Sequence, residues 1–248
     1  MENQINHLLE LHYLNIQAKK VLKNEYSLNI YHLKVLKYIN DYSDKEVFTA
    51  SEFKHVLEIN QTMLTHVISY LHNLNYYKKE RSKKDERKII IIVETRHKTK
   101  NTQLINRIER SMLNKLNTFN LNSKEHSLID YIVKINSYIS NIHNTINNNY
   151  KLNIDHFMIL LFIQHAKQQP CTLKDIKNKF GWDLVKINKS IKTLVQLKYV
   201  NKKRDEHDER IVLVSIHKNV ESEVKHMIED IILQYKDNYG AQNLAMVK

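Results

Sequence analysis

Lys202-Lys203-Arg204-Asp205-Glu206-His207-Asp208-Glu209-Arg210 is a run of nine residues without one apolar side chain. Before it comes Tyr199-Val200-Asn201, and after it the mostly apolar, largely β-branched run from Ile211 to Ile216. Two β-prone segments around a polar linker read as a hairpin with a charged tip: Tyr199 to Arg204, then Asp205 to Glu209, then Arg210 to Ile216. The same order stands earlier in the chain, as Tyr76 to Arg81, then Ser82-Lys83-Lys84-Asp85-Glu86, then Arg87 to Val93. Lys84-Asp85-Glu86-Arg87-Lys88-Ile89 reappears as His207-Asp208-Glu209-Arg210-Ile211-Val212, 123 residues on.

Outward from the hairpins, the likeness continues. Leu71, Leu74 and Tyr76 map onto Leu194, Leu197 and Tyr199 at the same offset. Leu28-Asn29-Ile30-Tyr31-His32-Leu33 maps onto Leu152-Asn153-Ile154-Asp155-His156-Phe157 at an offset of 124, so one residue differs in length near 41–49. Ordered matches over about sixty residues identify an internal duplication, with domains expected at 1–122 and 123–248.

Each copy has the same run of helical patterns. A long apolar-rich helix is expected over 3–25 and again from about 124 to 150, capped by Ser123. A second is expected over 30–42 and 154–167, and a short one from a Ser51 cap through Leu57, matched by Thr172 to Phe180. A longer helix follows at 60–73 and 183–196, with stripes Leu64, Val67, Ile68, Leu71 and Ile187, Ile191, Leu194, Val195. After the hairpin, a last helix is expected over 96–119 and 218–236. With two glycines and one proline in 248 residues, helix breakers are few. The expected fold class is mainly α (α+β): tandem winged helix-turn-helix domains, each with a small β-hairpin wing.

Charge indicates the partner. The chain carries a formal +12, with 21 basic against 13 acidic residues in 1–124 and 18 against 14 in 125–248. A surplus in both copies favours a polyanion, nucleic acid or an anionic membrane surface. No stretch approaches the roughly 18 apolar residues of a membrane span, and no membrane partner is expected. The lone Cys171 suits a reducing compartment. With no signal-peptide pattern at the N-terminus, a cytoplasmic location is expected. No phosphate loop, nucleophile elbow, hydrolytic triad or metal-spaced histidine pair stands out, so neither an enzyme nor a cofactor is expected.

In a helix-turn-helix, the second helix reads the major groove. In copy one it offers Gln61, Thr62, Thr65, His66 and Ser69, all able to hydrogen-bond base edges or phosphates. In copy two it offers Lys186, Asn188, Lys189 and Lys192, a more electrostatic set. Wing arginine suits an AT-rich minor groove, whose narrowing deepens its negative potential. Arg87 and Arg210 are the expected insertions. Asp85 and Asp208 are able to hold the tip in shape by accepting from nearby backbone or arginine.

The segment 202–210 resembles the wing signature of the staphylococcal accessory regulator (Sar) family, MarR-like winged-helix proteins. Lys78 to Arg87 fits it with one inserted-looking acidic residue. The resemblance spans each repeat from the second helix through the wing, and the wing is its specific part. It implies binding of double-stranded DNA at AT-rich promoters and control of virulence genes. It further implies a two-domain chain whose halves mimic a homodimer, so a monomer acting as a pseudo-dimer. By the same resemblance Arg81, Arg87, Arg204 and Arg210 are DNA contacts, joined by the wing cations Lys83, Lys84 and His207. Asp85, Glu86, Asp208 and Glu209 are wing organisers. Some members sense oxidation through a cysteine in the first helix, where this chain has none. Two alternatives stand beside this reading: a ligand-responsive MarR-type repressor with a pocket between long helices and winged lobes, and a protein-interaction paralogue that has lost DNA binding.

Overall fold

The computed structural model describes residues 2–83, 85–116, 127–166 and 170–239, and of 235–239 only the backbone. By Cα proximity the chain forms two compact units, residues 16–134 and residues 1–15 with 135–248. These divisions fall inside the two long helices α1 (Glu2–Tyr26) and α6 (Leu128–Tyr150). The boundary expected at 122/123 and the Ser123 cap lie outside the described residues, as does the end of the helix expected to reach 119.

In the 16–134 unit, α1 leads into α2 (Ile30–Asp41), β1 (Val47–Thr49), α3 (Ala50–Val56), α4 (Gln61–Asn73), β2 (Lys78–Arg81), β3 (Ile89–Ile92) and α5 (Thr95–Lys115). The other unit repeats this order from α6: α7 (Ile154–His165), β4 (Cys171–Thr172), α8 (Leu173–Phe180), α9 (Leu184–Gln196), β5 (Val200–Arg204), β6 (Val212–Ile216), a single 3-10 turn and α10 (Glu221–Tyr239). Both units are winged helix-turn-helix folds. The sheets have three strands, in the orders β1-β3-β2 and β4-β6-β5. The hairpin strands were legible in the sequence, but β1 and β4, three and two residues long, were not.

Register removes the apparent insertion in the first wing. Arg81 pairs with Ile89 and Arg204 with Val212, each shifted by 123, so Glu80 occupies the place of Lys203. Backbone conformation repeats as well. Ser27 and Lys151, Glu58 and Gly181, and Asn75 and Lys198 are all left-handed, with φ between 51° and 61°. Only one of the six is a glycine. In a non-glycine residue this conformation costs about 1–2 kcal/mol, offset here by helix-terminating hydrogen bonds such as Tyr76 N to Leu71 O and Tyr199 N to Leu194 O.

Helix starts repeat too. Thr49, not Ser51, caps α3: its Oγ1 accepts from Glu52 N while Glu52 accepts from Thr49 N. Thr172 and Asp175 make the same reciprocal box on α8. On α2 and α7 the reciprocal partners are His32 and His156, whose Nδ1 accepts from the backbone of Asn29 and Asn153.

The core of each unit sits where the helix-turn-helix packs on its sheet. In the first, Leu33, Leu36 and Ile39 of α2 are buried, as are Phe48, Phe53, Leu64, Val67 and Leu71. In the second, α7 is buried almost throughout, from His156 to Leu161, beside Ile176, Phe180, Ile187, Ile191 and Leu194. Each such aliphatic side chain contributes about 1.5–3 kcal/mol. Ser190 completes the buried side of α9, while Val195, expected there, is 38% exposed. Trp182 packs into the corner, stacked on Phe180 at 4.6 Å with His12 edge-on to both.

Candidate nucleic-acid interface

The burial of α4 and α9 defines their outward faces. In α4, Leu64, Val67, Ile68 and Leu71 turn inward, which leaves Gln61, Thr62, Thr65 and His66 exposed and Ser69 half-buried. Thr65 Oγ1 donates to Gln61 O within the helix at 2.9 Å. In α9, Asn188, Lys189 and Lys192 are exposed on the corresponding face. Lys186 turns elsewhere. It lies off that face, half-buried, with Nζ 2.9 Å from Asp155 and 4.1 Å from the Trp182 ring centroid.

Each wing is tied to α4 or α9 by a lysine that sequence reasoning passed over. Lys79 Nζ reaches Ser69 Oγ at 3.5 Å, and Lys202 Nζ donates to Asn188 Oδ1 at 3.2 Å. Their shared place in the repeat was the available signal. Asn188 Nδ2 meanwhile donates to Leu184 O.

The wing tips have one construction in two copies. Ser82 N donates to Lys88 O, and Lys88 N to Asp85 O. Correspondingly, Asp205 N donates to Ile211 O, and Ile211 N to Asp208 O. Asp85 Oδ1 accepts from Arg87 N at 3.1 Å, and Asp208 Oδ1 from Arg210 N at 3.0 Å. A carboxylate accepting from the amide two residues on stabilises a tight turn. Glu86 and Glu209 contribute through the backbone: their carbonyls accept from the guanidinium of Arg81 and Arg204. Their own side chains are exposed.

The two tips differ in their arginines. Arg210 is bidentate to Asp208, through Nε at 2.9 Å and Nη2 at 3.0 Å. This pairing lowers the Asp208 pKa and raises that of Arg210. In the first wing Asp85 lies 3.7 Å from Lys88 Nζ instead, and Arg87 is exposed. Asp205, whose carboxylate accepts from His207 N and Asp208 N, is held below its usual pKa by those two amides. Lys83 and His207 are exposed on the tips, and Lys84 lies outside the described residues. Each copy thus brings together an exposed helix face and an arginine-bearing hairpin, chemistry suited to phosphates and base edges.

The family profile described as Transcriptional regulator SarA/Rot matches residues 17–107 and again 141–227. The chain belongs to this family. It carries the family pattern twice, once through each helix-turn-helix and wing, and is a transcriptional regulator of the SarA/Rot type. The transcriptional regulator SarA of Staphylococcus aureus strain Newman is 27% identical over 95 residues, which are 38% of this chain and 77% of that protein. Among solved structures, the chain is similar to the transcriptional regulator BldR of Sulfolobus solfataricus, at 20% identity and a TM-score of 0.40 over 48% of this chain and 86% of that one. It is also similar to MepR of S. aureus, solved as a DNA complex, at 13% identity and a TM-score of 0.41 over 49% and 90%.

Two other features bear on partners. Among the described residues, no helix is long and apolar enough to cross a membrane. Cys171 is buried in β4, and burial pushes its thiol up to about 11. At neutral pH it is therefore protonated, the less reactive form.

Proposed function

We propose that this SarA/Rot-type regulator acts in the cytoplasm by binding double-stranded DNA, with α4 and α9 in major grooves and the two wings in the minor groove of AT-rich promoters, including those of virulence genes. Each sequence copy, 1–122 and 123–248, would take one half-site, so a single chain does the work of a dimer. One observation carries this reading. The same constellation, an Asp-fixed turn presenting arginine beside an exposed reading helix, occurs twice in a chain of charge +12. Arginines exposed at both hairpin tips stand where phosphate contacts need them.

The deciding experiment is selection of bound sequences from random duplex DNA, with wild type and with Arg87→Ala plus Arg210→Ala. Wild type should enrich AT-rich sites. The double variant should keep its fold and lose most of that affinity. A variant that binds as wild type does would refute the wing contacts.

The ligand-responsive alternative has one feature in its favour, a cavity of about 250 Å³ lined by residues including Gln17, Lys20, Asn24 and Lys115. That is smaller than the roughly 300–1,000 Å³ of ordinary ligand sites. The duplicated wing therefore favours DNA binding as the primary activity.

A further inference from the structure

The first turn of α9 leaves two large apolar side chains in solvent. Leu184 is 48% exposed and Val185 79%. They are not part of the inward stripe, which Ile187, Ser190, Ile191 and Leu194 complete. At 100° per residue, Val185 lies in the middle of the outward face, one and two turns before Lys189 and Lys192. Asp183 caps the helix, its Oδ1 accepting from Lys186 N at 2.7 Å, which fixes the direction of this first turn. Asn188, one turn after Leu184, is held by Lys202 of the wing.

Copy one places Gln61 and Thr62 at these two positions, and both are exposed. The substitution is therefore polar to apolar on a surface where no packing gain accompanies it. The environment selects the partner. Lys189 and Lys192 continue the face of Val185 and Lys202 reaches Asn188 on it, which favours a polyanion, and the first residues of a reading helix are those that meet base edges. The major groove of ordinary DNA offers one apolar group there, the C5-methyl of thymine.

We propose that Leu184 and Val185 make the second copy a reader of thymine methyls, so that the half-site bound by α9 is recognised by apolar contact and the one bound by α4 chiefly by hydrogen bonds. This rests on the DNA-binding reading above and adds what one half-site must contain. The lysine-rich α9 is then more than an electrostatic anchor, since its opening turn carries sequence information.

The test uses the full chain and a duplex selected by it from random DNA. Thymines of each half-site in turn are replaced by deoxyuridine, which removes the C5-methyl and leaves the base-pairing edge intact. Wild type should bind on the order of four-fold more weakly for each contacted methyl lost, in one half-site. Leu184→Gln plus Val185→Ser should abolish that sensitivity while leaving thermal unfolding unchanged, because both positions are exposed. Binding with no uracil effect in either half-site would overturn this inference and leave DNA binding standing. Undiminished uracil sensitivity in the variant would overturn the assignment to these two residues. Failure to select or bind any duplex at low salt would overturn the functional reading, and this one with it.

Discussion

The contacts of single residues separate the two copies more than their shared fold does. On α4 the outward face carries no lysine or arginine, with Gln61 able to bond adenine in bidentate fashion and Thr62 and Thr65 presenting hydroxyls. On α9, Lys189 and Lys192 have no such selectivity, since an ammonium treats all phosphates alike. Gln61→Ala and His66→Ala are expected to change the ranking of bound sequences, costing about 1–3 kcal/mol at the base each contacts. Lys189→Ala should weaken all duplexes to a similar degree and lower the salt slope by about 1. Affinities over a panel of point-mutated sites at two salt concentrations distinguish these results, and identical profiles for all three variants would refute the division. The outward faces were legible because helical periodicity fixes which side is buried. Lys186 was misplaced in that reading because Asp155 and Trp182, which hold it, act through tertiary proximity that spacing does not encode.

Elements are fixed by their ends, where the duplication is exact in chemistry and only partly visible in sequence. Thr49 and Thr172 each cap the first helix of a helix-turn-helix pair through a reciprocal box. Thr49→Ala should cost about 1 kcal/mol in chemical unfolding, and Ser51→Ala much less; equal losses would return the cap to Ser51. Ser51 was the plausible cap by sequence because β1 was unrecognised, and with it the extended backbone at Thr49. The left-handed residues were equally hidden: five of the six are not glycine, so the usual sign was missing. His32 gives the caps a pH dependence. Burial lowers its pKa from 6.5 to about 4. Between those values the unfolded chain takes up a proton that the folded chain refuses, so the stabilisation is complete above pH 6.5 and is lost as pH falls toward 4. Its Nδ1 accepts from Asn29 N, a bond the protonated ring cannot make. Glutamine at this position can still accept that bond without titrating. Wild type should therefore lose more stability than His32→Gln between about pH 7 and about pH 5. Parallel losses would show that other groups set the slope. His156 stands in the same box on α7, its pKa also lowered by burial, so the variant should remove only part of the dependence.

At the scale of the whole molecule, the proposal is that duplication replaces oligomerisation as the means of obtaining two reading heads. A homodimer of identical heads is suited to a palindrome, because symmetry in the protein is matched by symmetry in the site. Fused copies are free to diverge, and these have done so: a bidentate Arg210–Asp208 pair in one wing and an exposed Arg87 in the other, an apolar first turn on α9 and a polar one on α4. The preferred site should therefore be two unlike half-sites about one helical turn, ~34 Å, apart, bound by one 29.7 kDa chain. Sedimentation with a selected duplex should give one protein per DNA, and footprinting should protect both halves. Exchanging the half-site sequences for two copies of either one should weaken binding, whereas a symmetric dimer of chains would gain from one of those exchanges. Two chains per duplex, or a palindrome bound more tightly than the asymmetric site, would show that the fused copies have not become a self-sufficient pair. The salt slope gives an independent check. Arg87→Ala plus Arg210→Ala should reduce it by about 2 if both wings reach DNA in the same complex, and by about 1 if only one does. A reduction near 2 with one-to-one stoichiometry requires both heads of a single chain to be engaged at once, which is the property that separates a pseudo-dimer from two domains binding in turn.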